Sequence, residues 1–202
     1  MTAFSPTILA IVFLLAGCQA YGASEEKNLL GGGVSYVYFN NKHPSIASET
    51  VPVWYVSMGS RLENAGMEFV FSGARLAGES DATAAPDYPS EEVKYFALDG
   101  NIKYYFRDAM EKRFTPWLSL GWGVHFFGLE NYYYPTYGYQ LVLGAGADLP
   151  LYRSCFIRGG IRTSFYFTED PWLNDVYSGT TAGVDLALIW LFDQPTPGDR
   201  PL

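Results

Sequence analysis

Residues 113–129, RFTPWLSLGWGVHFFGL, contain the pattern that decides the fold. Apolar residues fill every second position from Phe114 to Phe126, whereas most positions between them are small or polar. A period of two predicts a β-strand, because successive side chains of a strand point to opposite faces. The segment is longer than most strands of soluble sheets, but it suits a tilted strand crossing a hydrocarbon layer of about 25–30 Å. Its small and polar face would line a narrow barrel.

Similar alternating segments recur along the chain and predict eight strands. They lie at residues 31–40, 51–62, 66–78, 94–107, 113–128, 138–149, 155–167 and 177–192. The connections alternate between long ones (41–50, 79–93, 130–137 and 168–176) and short ones (63–65, 108–112 and 150–154). This alternation is typical of an up-and-down barrel with tight periplasmic turns and long external loops. We therefore predict an all-β, eight-stranded, antiparallel transmembrane β-barrel in an outer membrane, with both termini in the periplasm.

The composition agrees with one β-rich domain. The 202 residues include 21 Gly, 16 Tyr and 14 Phe, whereas only 17% are charged, which favours turns and aromatic belts over a helical bundle. The formal net charge is −8 and no Lys/Arg-rich run occurs, so nucleic acid is not an expected partner.

The N-terminal residues predict export. We interpret residues 1–17 as a signal peptide, since residues 8–16 are apolar and residues 15–18 read LAGC. The LAGC motif resembles the bacterial lipobox, which implies that Cys18 becomes a lipidated N-terminus. Residues 1–7 lack the expected Lys or Arg, so the alternative is plain secretion with cleavage after Ala20. A periplasmic linker at 18–30, the barrel at 31–192 and a disordered Pro-rich tail at 193–202 complete the predicted organisation.

The charged residues of the strands alternate with the apolar residues. In a strand, this places the charges on one face and the apolar side chains on the other, and we call these two sets of positions the two parities. The predicted interior charges are Arg61, Glu68, Asp99, Lys103, Arg107, Asp148, Arg158, Arg162 and Asp185. A charge facing lipid at the membrane centre would cost ~2–4 kcal/mol, which favours placing all of them inside. We expect Asp185 beside Arg158 or Arg162, and Glu68 beside Asp99 or Lys103. Mixed signs favour a plug of ion pairs, and the alternative is a charged constriction that passes small ions.

Aromatic residues predict belts at the lipid–water boundary. The candidates are Tyr36, Tyr38, Trp54, Tyr95, Tyr104, Tyr105, Phe126, Tyr132, Tyr133, Tyr134, Tyr137, Tyr139, Tyr166, Trp172 and Trp190. The tyrosines of residues 132–137 could instead form a ligand platform on a loop.

Residues 113–123 resemble the central strand of small eight-stranded outer-membrane barrels, which often have a Pro-aromatic start followed by alternating Gly. Residues 183–192 alternate and end on Phe192, similar to the assembly signal of that class. The resemblance, to the OmpA-like transmembrane barrel class, covers roughly residues 30–192. It implies the same architecture, although here a tail of residues 193–202 follows the closing strand.

No motif predicts chemistry. His43 and His125 are the two possible bases, and the segment His125-Phe126-Phe127 lacks the serine that a lipid A deacylase would present. Nothing predicts a metal or a cofactor, and the acidic residues 81–92 have no EF-hand spacing. We expect a structural or surface-interaction role rather than an enzyme, in contact with outer-membrane lipid, lipopolysaccharide and a possible extracellular or envelope protein. The alternatives are a narrow pore, a lipid A-modifying enzyme and a lipid-anchored periplasmic lipid-binding barrel.

Overall fold

Eight antiparallel strands form a closed barrel in the computed structural model, which describes residues 27–42, 46–78, 92–106, 114–129, 136–152, 154–170 and 175–193. The strands are β1 (Lys27–Asn41), β2 (Glu49–Arg61), β3 (Ala65–Ala77), β4 (Glu92–Tyr105), β5 (Thr115–Leu129), β6 (Thr136–Tyr152), β7 (Cys155–Asp170) and β8 (Asp175–Asp193). Each strand pairs with the next, and β1 pairs with β8. The predicted eight-stranded antiparallel fold is therefore confirmed. Within the described ranges, no helix is long and apolar enough to cross a membrane.

The first strand begins earlier than its apolar pattern predicts. Lys27 lies opposite Arg61 of β2 and Asp193 of β8, so residues 27–30 belong to the barrel and not to the linker predicted at 18–30. Apolar alternation marks only the middle of the strand, whereas backbone pairing continues into its polar end.

Several connections also differ from their predicted lengths. The last predicted long connection, 168–176, shortens to residues 171–174, because β7 and β8 remain paired as far as Asp170 and Asp175. The turn predicted at 108–112 becomes a connection of residues 106–114. The simple long–short rule therefore holds less well than the sequence indicates.

The barrel has two distinct ends. We call the end with the connections β1–β2, β3–β4, β5–β6 and β7–β8 the loop end. The opposite end, where β1 begins and β8 finishes, is the turn end.

Side chains alternate between the outer face and the interior along most of each strand. In β5, Leu118, Leu120 and Trp122 point outward, and Leu120 is 54% exposed. Trp117 and His125 of the same strand point inward and are 4% and 0% exposed. The period of two in residues 113–129 therefore corresponds to the two faces of the wall.

The ladder between β2 and β3 is interrupted near the loop end. Its register runs from the pair Trp54–Gly73 to the pair Arg61–Gly66, and does not continue through the described residues 49–53 and 74–77. Beyond this interruption, Ala47 donates its N–H to the carbonyl of Ala77 at 3.2 Å. Pro52 lies in the interrupted stretch, where its missing N–H removes no β2–β3 bond.

Two neighbouring glycines of β1 predict a matched pair of variants. A Cβ on Gly33 would collide with the carbonyl oxygen of Leu186 and come 2.7 Å from the Cα of Ala187, whereas a Cβ on Gly32 would lie 3.5 Å from the carbonyl oxygen of Tyr55. We expect Gly33→Ala to lower the free energy of unfolding by ~1–3 kcal/mol, because backbone must move, and Gly32→Ala to leave it nearly unchanged. Urea unfolding in detergent micelles measures both, and equal effects would contradict this packing.

Candidate functional site: the barrel interior

Five charged side chains meet inside the barrel near the turn end. This ionic cluster consists of Arg61, Glu68, Lys103, Asp148 and Arg158, and each is at most 7% exposed. They come from five different strands, β2, β3, β4, β6 and β7. Closure of the sheet therefore brings together residues that are far apart in sequence.

Arg158 is the centre of the ionic cluster. Its Nη1 donates to both carboxylate oxygens of Glu68 at 2.8 Å. Its Nε and Nη2 donate to the two oxygens of Asp148 at 2.8 and 3.0 Å. One planar guanidinium thus joins two carboxylates from different walls, a geometry that a lysine could not reproduce.

The remaining cations complete the ionic cluster. Lys103 forms an ion pair with Glu68, and Arg61 forms one with Asp148. Lys103 Nζ also lies 4.4 Å from the centre of the Trp117 ring, and the Arg61 guanidinium lies 4.5 Å from the centre of the Tyr105 ring. Trp117 Nε1 donates to Asp148 at 3.1 Å. Cation–π contacts and hydrogen bonds compensate part of the large cost of removing these charges from water.

A second polar group lies in the middle of the barrel. Arg162 pairs with Asp185 at 3.2 Å, and Asp185 also accepts a hydrogen bond from Ser35. Gln140 donates to Asp99 at 2.5 Å. Polar residues therefore continue from the ionic cluster toward the loop end.

Two small cavities flank Arg162. One, of about 20 Å³, lies between Arg162 and the ionic cluster, and is lined in part by Ser119, Asn101 and Lys103. The other, of about 30 Å³, is lined in part by Ser35 and Gln140. A buried water needs about 10–15 Å³ measured in this way. Each cavity has room for one or two waters and none for an organic ligand.

Apolar side chains fill the interior above the polar group, toward the loop end. This outer apolar layer consists of Val37, Phe39, Ile46, Val51, Val53, Ala74, Leu76, Val93, Tyr95, Ala97, Phe127 and Tyr166. The Tyr95 ring lies 5.1 Å from that of Phe39 and 5.3 Å from that of Phe127. The described interior is therefore filled toward the loop end by packed rings, and toward the turn end by the ionic cluster together with a second buried apolar group that includes Leu29, Phe156, Ile189 and Leu191.

His125 lies within the outer apolar layer rather than at an accessible site. It is fully buried, and its Nε2 is 2.8 Å from the hydroxyl of Thr168. Its ring packs 5.2 Å from those of Phe127 and Tyr166. Among the described residues, no group of three or more His, Cys, Asp and Glu could hold a metal ion. His43, the other predicted base, lies outside the described residues.

The structure brings together most of the charged residues predicted inside. Asp185 pairs with Arg162, and Glu68 pairs with Lys103. Arg158 pairs with Glu68 and Asp148 and not with Asp185, because its register partner across β6 and β7 is Asp148. Asp99 bonds to Gln140. Two further predicted positions, Arg107 and Cys18, lie outside the described residues.

Three tyrosines predicted in the lipid–water belts lie inside the barrel instead. Tyr95, Tyr105 and Tyr166 are buried, so this part of the prediction is wrong. Their parity could have identified them, since Tyr95 and Tyr105 share the inward parity of Asp99 and Lys103 in β4. Aromatic character alone does not distinguish the faces of a wall.

The predicted tyrosine platform is only partly described. Tyr137 lies in β6 with its side chain exposed on the outer face. Tyr132, Tyr133 and Tyr134 lie outside the described residues.

Solved structures of outer membrane proteins share this fold, and two of them illustrate it. The crystal structure of the outer membrane protein OprG from Pseudomonas aeruginosa is 12% identical, with a TM-score of 0.56 over 86% of this chain and 99% of that chain. The solid-state NMR structure of the outer membrane protein AlkL in DMPC lipid bilayers is 14% identical, with a TM-score of 0.54 over 91% of this chain and 96% of that chain. At these identities the similarity concerns the fold. No protein-family model and no curated protein matches the sequence.

The geometry of the ionic cluster predicts a large effect for its central residue. We expect Arg158→Leu to lower the free energy of unfolding by ~3–5 kcal/mol, because Glu68 and Asp148 would each lose a buried partner. Arg75→Gln is the control, since Arg75 and Glu92 pair at 3.2 Å with side chains 76% and 41% exposed, and should cost ~0–1 kcal/mol. Urea unfolding in micelles tests both, and a small loss for Arg158→Leu would mean that the ionic cluster does not stabilise the barrel.

Proposed function

We propose that the protein spans a Gram-negative outer membrane, with both termini in the periplasm and the loop end outside. The distribution of charge carries this proposal. Outward side chains such as Leu120, Val184 and Leu186 form an exposed apolar face of a size that a soluble monomer rarely shows. The buried charges face the interior, as transmembrane barrels require.

The strand lengths support a membrane-spanning barrel. The strands contain 13 to 19 residues, whereas about 9–11 residues suffice to cross the hydrocarbon core when tilted. All the strands therefore have residues to spare at the polar boundaries. Since the sheet is closed, the wall does not require water to satisfy strand edges.

Within the membrane, we propose a structural or surface-interaction role with a mostly plugged lumen. The outer apolar layer and the ionic cluster support this role, because the two cavities beside Arg162 each have room for only one or two waters. The loops would meet an extracellular or envelope protein, and the outer face would contact membrane lipid and lipopolysaccharide. We expect no cofactor and no enzymatic activity.

A narrow ion-conducting pore is the second candidate. The chain of polar residues from Lys103 through Arg162 to Asp99 favours it, since these groups and the two cavities occupy the inner part of the lumen. A lipid A-modifying enzyme has less support, because His125 is buried. A periplasmic lipid-binding barrel would require the outward apolar side chains to face the interior instead. The buried charges argue against this, because they occupy that interior.

The export signal belongs to the same proposal. Lipidation at Cys18 would add a second attachment to the membrane on the periplasmic side. Mass spectrometry of the protein purified from membranes would detect the lipid on the mature N-terminus. Cleavage after Ala20 would instead give an unmodified chain.

Single-cysteine labelling tests the membrane-spanning barrel. In a Cys155→Ser background, we expect Leu120→Cys to react with a lipid-soluble maleimide and Ser119→Cys to be protected, because Leu120 faces outward and Ser119 lines a cavity. Unboiled protein should also migrate differently from boiled protein on an SDS gel. Protection of both cysteines, or no change of mobility on boiling, would contradict the proposal.

Single-channel recording in planar bilayers tests the plugged lumen. We expect no steady conductance from the natural sequence, and brief openings from Phe127→Ala, which removes a ring of the outer apolar layer. Phe126→Ala is the matched control, since Phe126 points outward from the adjacent position. Steady conductance from the natural sequence would support the narrow pore instead.

A further inference from the structure

The smaller of the two cavities beside Arg162 is surrounded by more positive than negative charge. Its lining includes Lys103, Arg158 and Arg162, but only two carboxylates, those of Glu68 and Asp185. Glu68 is already bonded to Lys103 and Arg158, and Asp185 is bonded to Arg162. Three cations and two carboxylates leave one positive charge in excess. A buried charge in excess is costly unless an ion of opposite sign accompanies it.

The rest of the described interior does not cancel this charge at the smaller cavity. Arg61 and Asp148, which complete the ionic cluster, form an ion pair with each other and leave the sum unchanged. The other buried carboxylate of the described interior, Asp99, lines the second cavity and bonds to Gln140. Its Cα lies about 13 Å along β4 from that of Lys103. The positive excess is therefore local to the smaller cavity.

A tyrosine that lines the same cavity has an unpaired hydroxyl. Tyr55 is 4% exposed, and its hydroxyl has no hydrogen-bond partner among the described residues. The Arg162 guanidinium lies 5.1 Å from the centre of the Tyr55 ring, so the tyrosine and this cation border the same space. Leaving a buried O–H without an acceptor costs free energy. The cavity therefore presents a hydrogen-bond donor together with an excess of positive charge, and both are satisfied by an anion.

The smaller cavity has further donors and space for one small ion. Arg162 bonds to Asp185 through Nε and Nη2, which leaves its Nη1 as a donor within the described structure. Ser119 adds a hydroxyl, and Gly144 keeps the space open, because a Cβ there would come 2.5 Å from Ser119 Oγ. The cavity volume of about 20 Å³ exceeds the ~10–15 Å³ that one water requires. A monatomic ion therefore fits, whereas an organic anion does not.

We propose that the smaller cavity binds a single monatomic anion, which is chloride under natural conditions. The anion accepts hydrogen bonds from the hydroxyl of Tyr55 and from the guanidinium of Arg162, and its charge compensates the positive excess. It lies between side chains of β2, β4 and β7, so its binding stabilises the filled interior. The inference goes beyond the proposed function, because it concerns what fills the lumen and not where the barrel lies in a membrane.

Urea unfolding of the full-length protein in detergent micelles tests the site, with chloride replacing the larger anion gluconate at constant ionic strength. Above the dissociation constant, each tenfold increase in chloride should raise the folding equilibrium constant about tenfold. Tyr55→Phe keeps the ring beside Arg162 but removes the hydroxyl, and should weaken chloride binding about tenfold. Tyr95→Phe is the matched control, since it removes a buried hydroxyl that bonds to Gln140 outside this cavity, and should leave the chloride dependence unchanged.

Bromide provides a direct test, because its anomalous scattering should give one peak between Tyr55 and Arg162 in crystals grown with bromide. Heat modifiability on SDS gels first shows that each variant forms a barrel, so a failure of the membrane proposal is detected independently. A chloride dependence that is weakened by Tyr55→Phe and retained by Tyr95→Phe supports the site. Equal stability of the natural sequence in both salts, equal chloride dependence of the two variants, or no bromide peak in the cavity would overturn it, and would mean that the cavity holds water only.

Discussion

Closure of the backbone hydrogen-bond ladder is the constraint on which the rest of the structure depends. In hydrocarbon an unpaired N–H or C=O costs several kcal/mol, and pairing of β1 with β8 removes the two edges that an open sheet would expose. Closure around eight strands leaves an interior just wide enough for side chains. Closure therefore fixes the width of the interior and requires that side chains fill it.

Filling that interior with charge requires nearly complete pairing. Arg158 satisfies Glu68 and Asp148 together, while rings of Trp117 and Tyr105 cover the neighbouring cations. Toward the loop end, packed apolar and aromatic side chains fill the interior instead. Charged and apolar fillings thus occupy one barrel, and two small cavities lie beside Arg162 between them.

The sequence predicts the fold well, because alternation is a local property that survives without knowledge of the partners. It predicts contacts across the lumen less well. Asp185 has two predicted partners, Arg158 and Arg162, and the register of β7 with β6 places Arg158 beside Asp148, so that Asp185 pairs with Arg162. Tyr95 and Tyr166 are a second example, because a tyrosine suits both an aromatic belt and a packed interior. Only the alternation of its strand shows whether a tyrosine faces outward or inward. The interruption between β2 and β3 depends on register and has Pro52 as its one local signal.

That interruption makes the wall mechanically uneven. Along most of the barrel, neighbouring strands are joined by continuous hydrogen bonds, which resist separation over their whole length. Between residues 49–53 and 74–77 the ladder is absent, and the two stretches are joined by a hydrogen bond from the Ala77 N–H to the Glu49 carboxylate and by side chains of the outer apolar layer. Lateral compression by a surrounding bilayer would therefore deform the barrel first at the β2–β3 interruption. The barrel is thus more compliant in this direction than in the others.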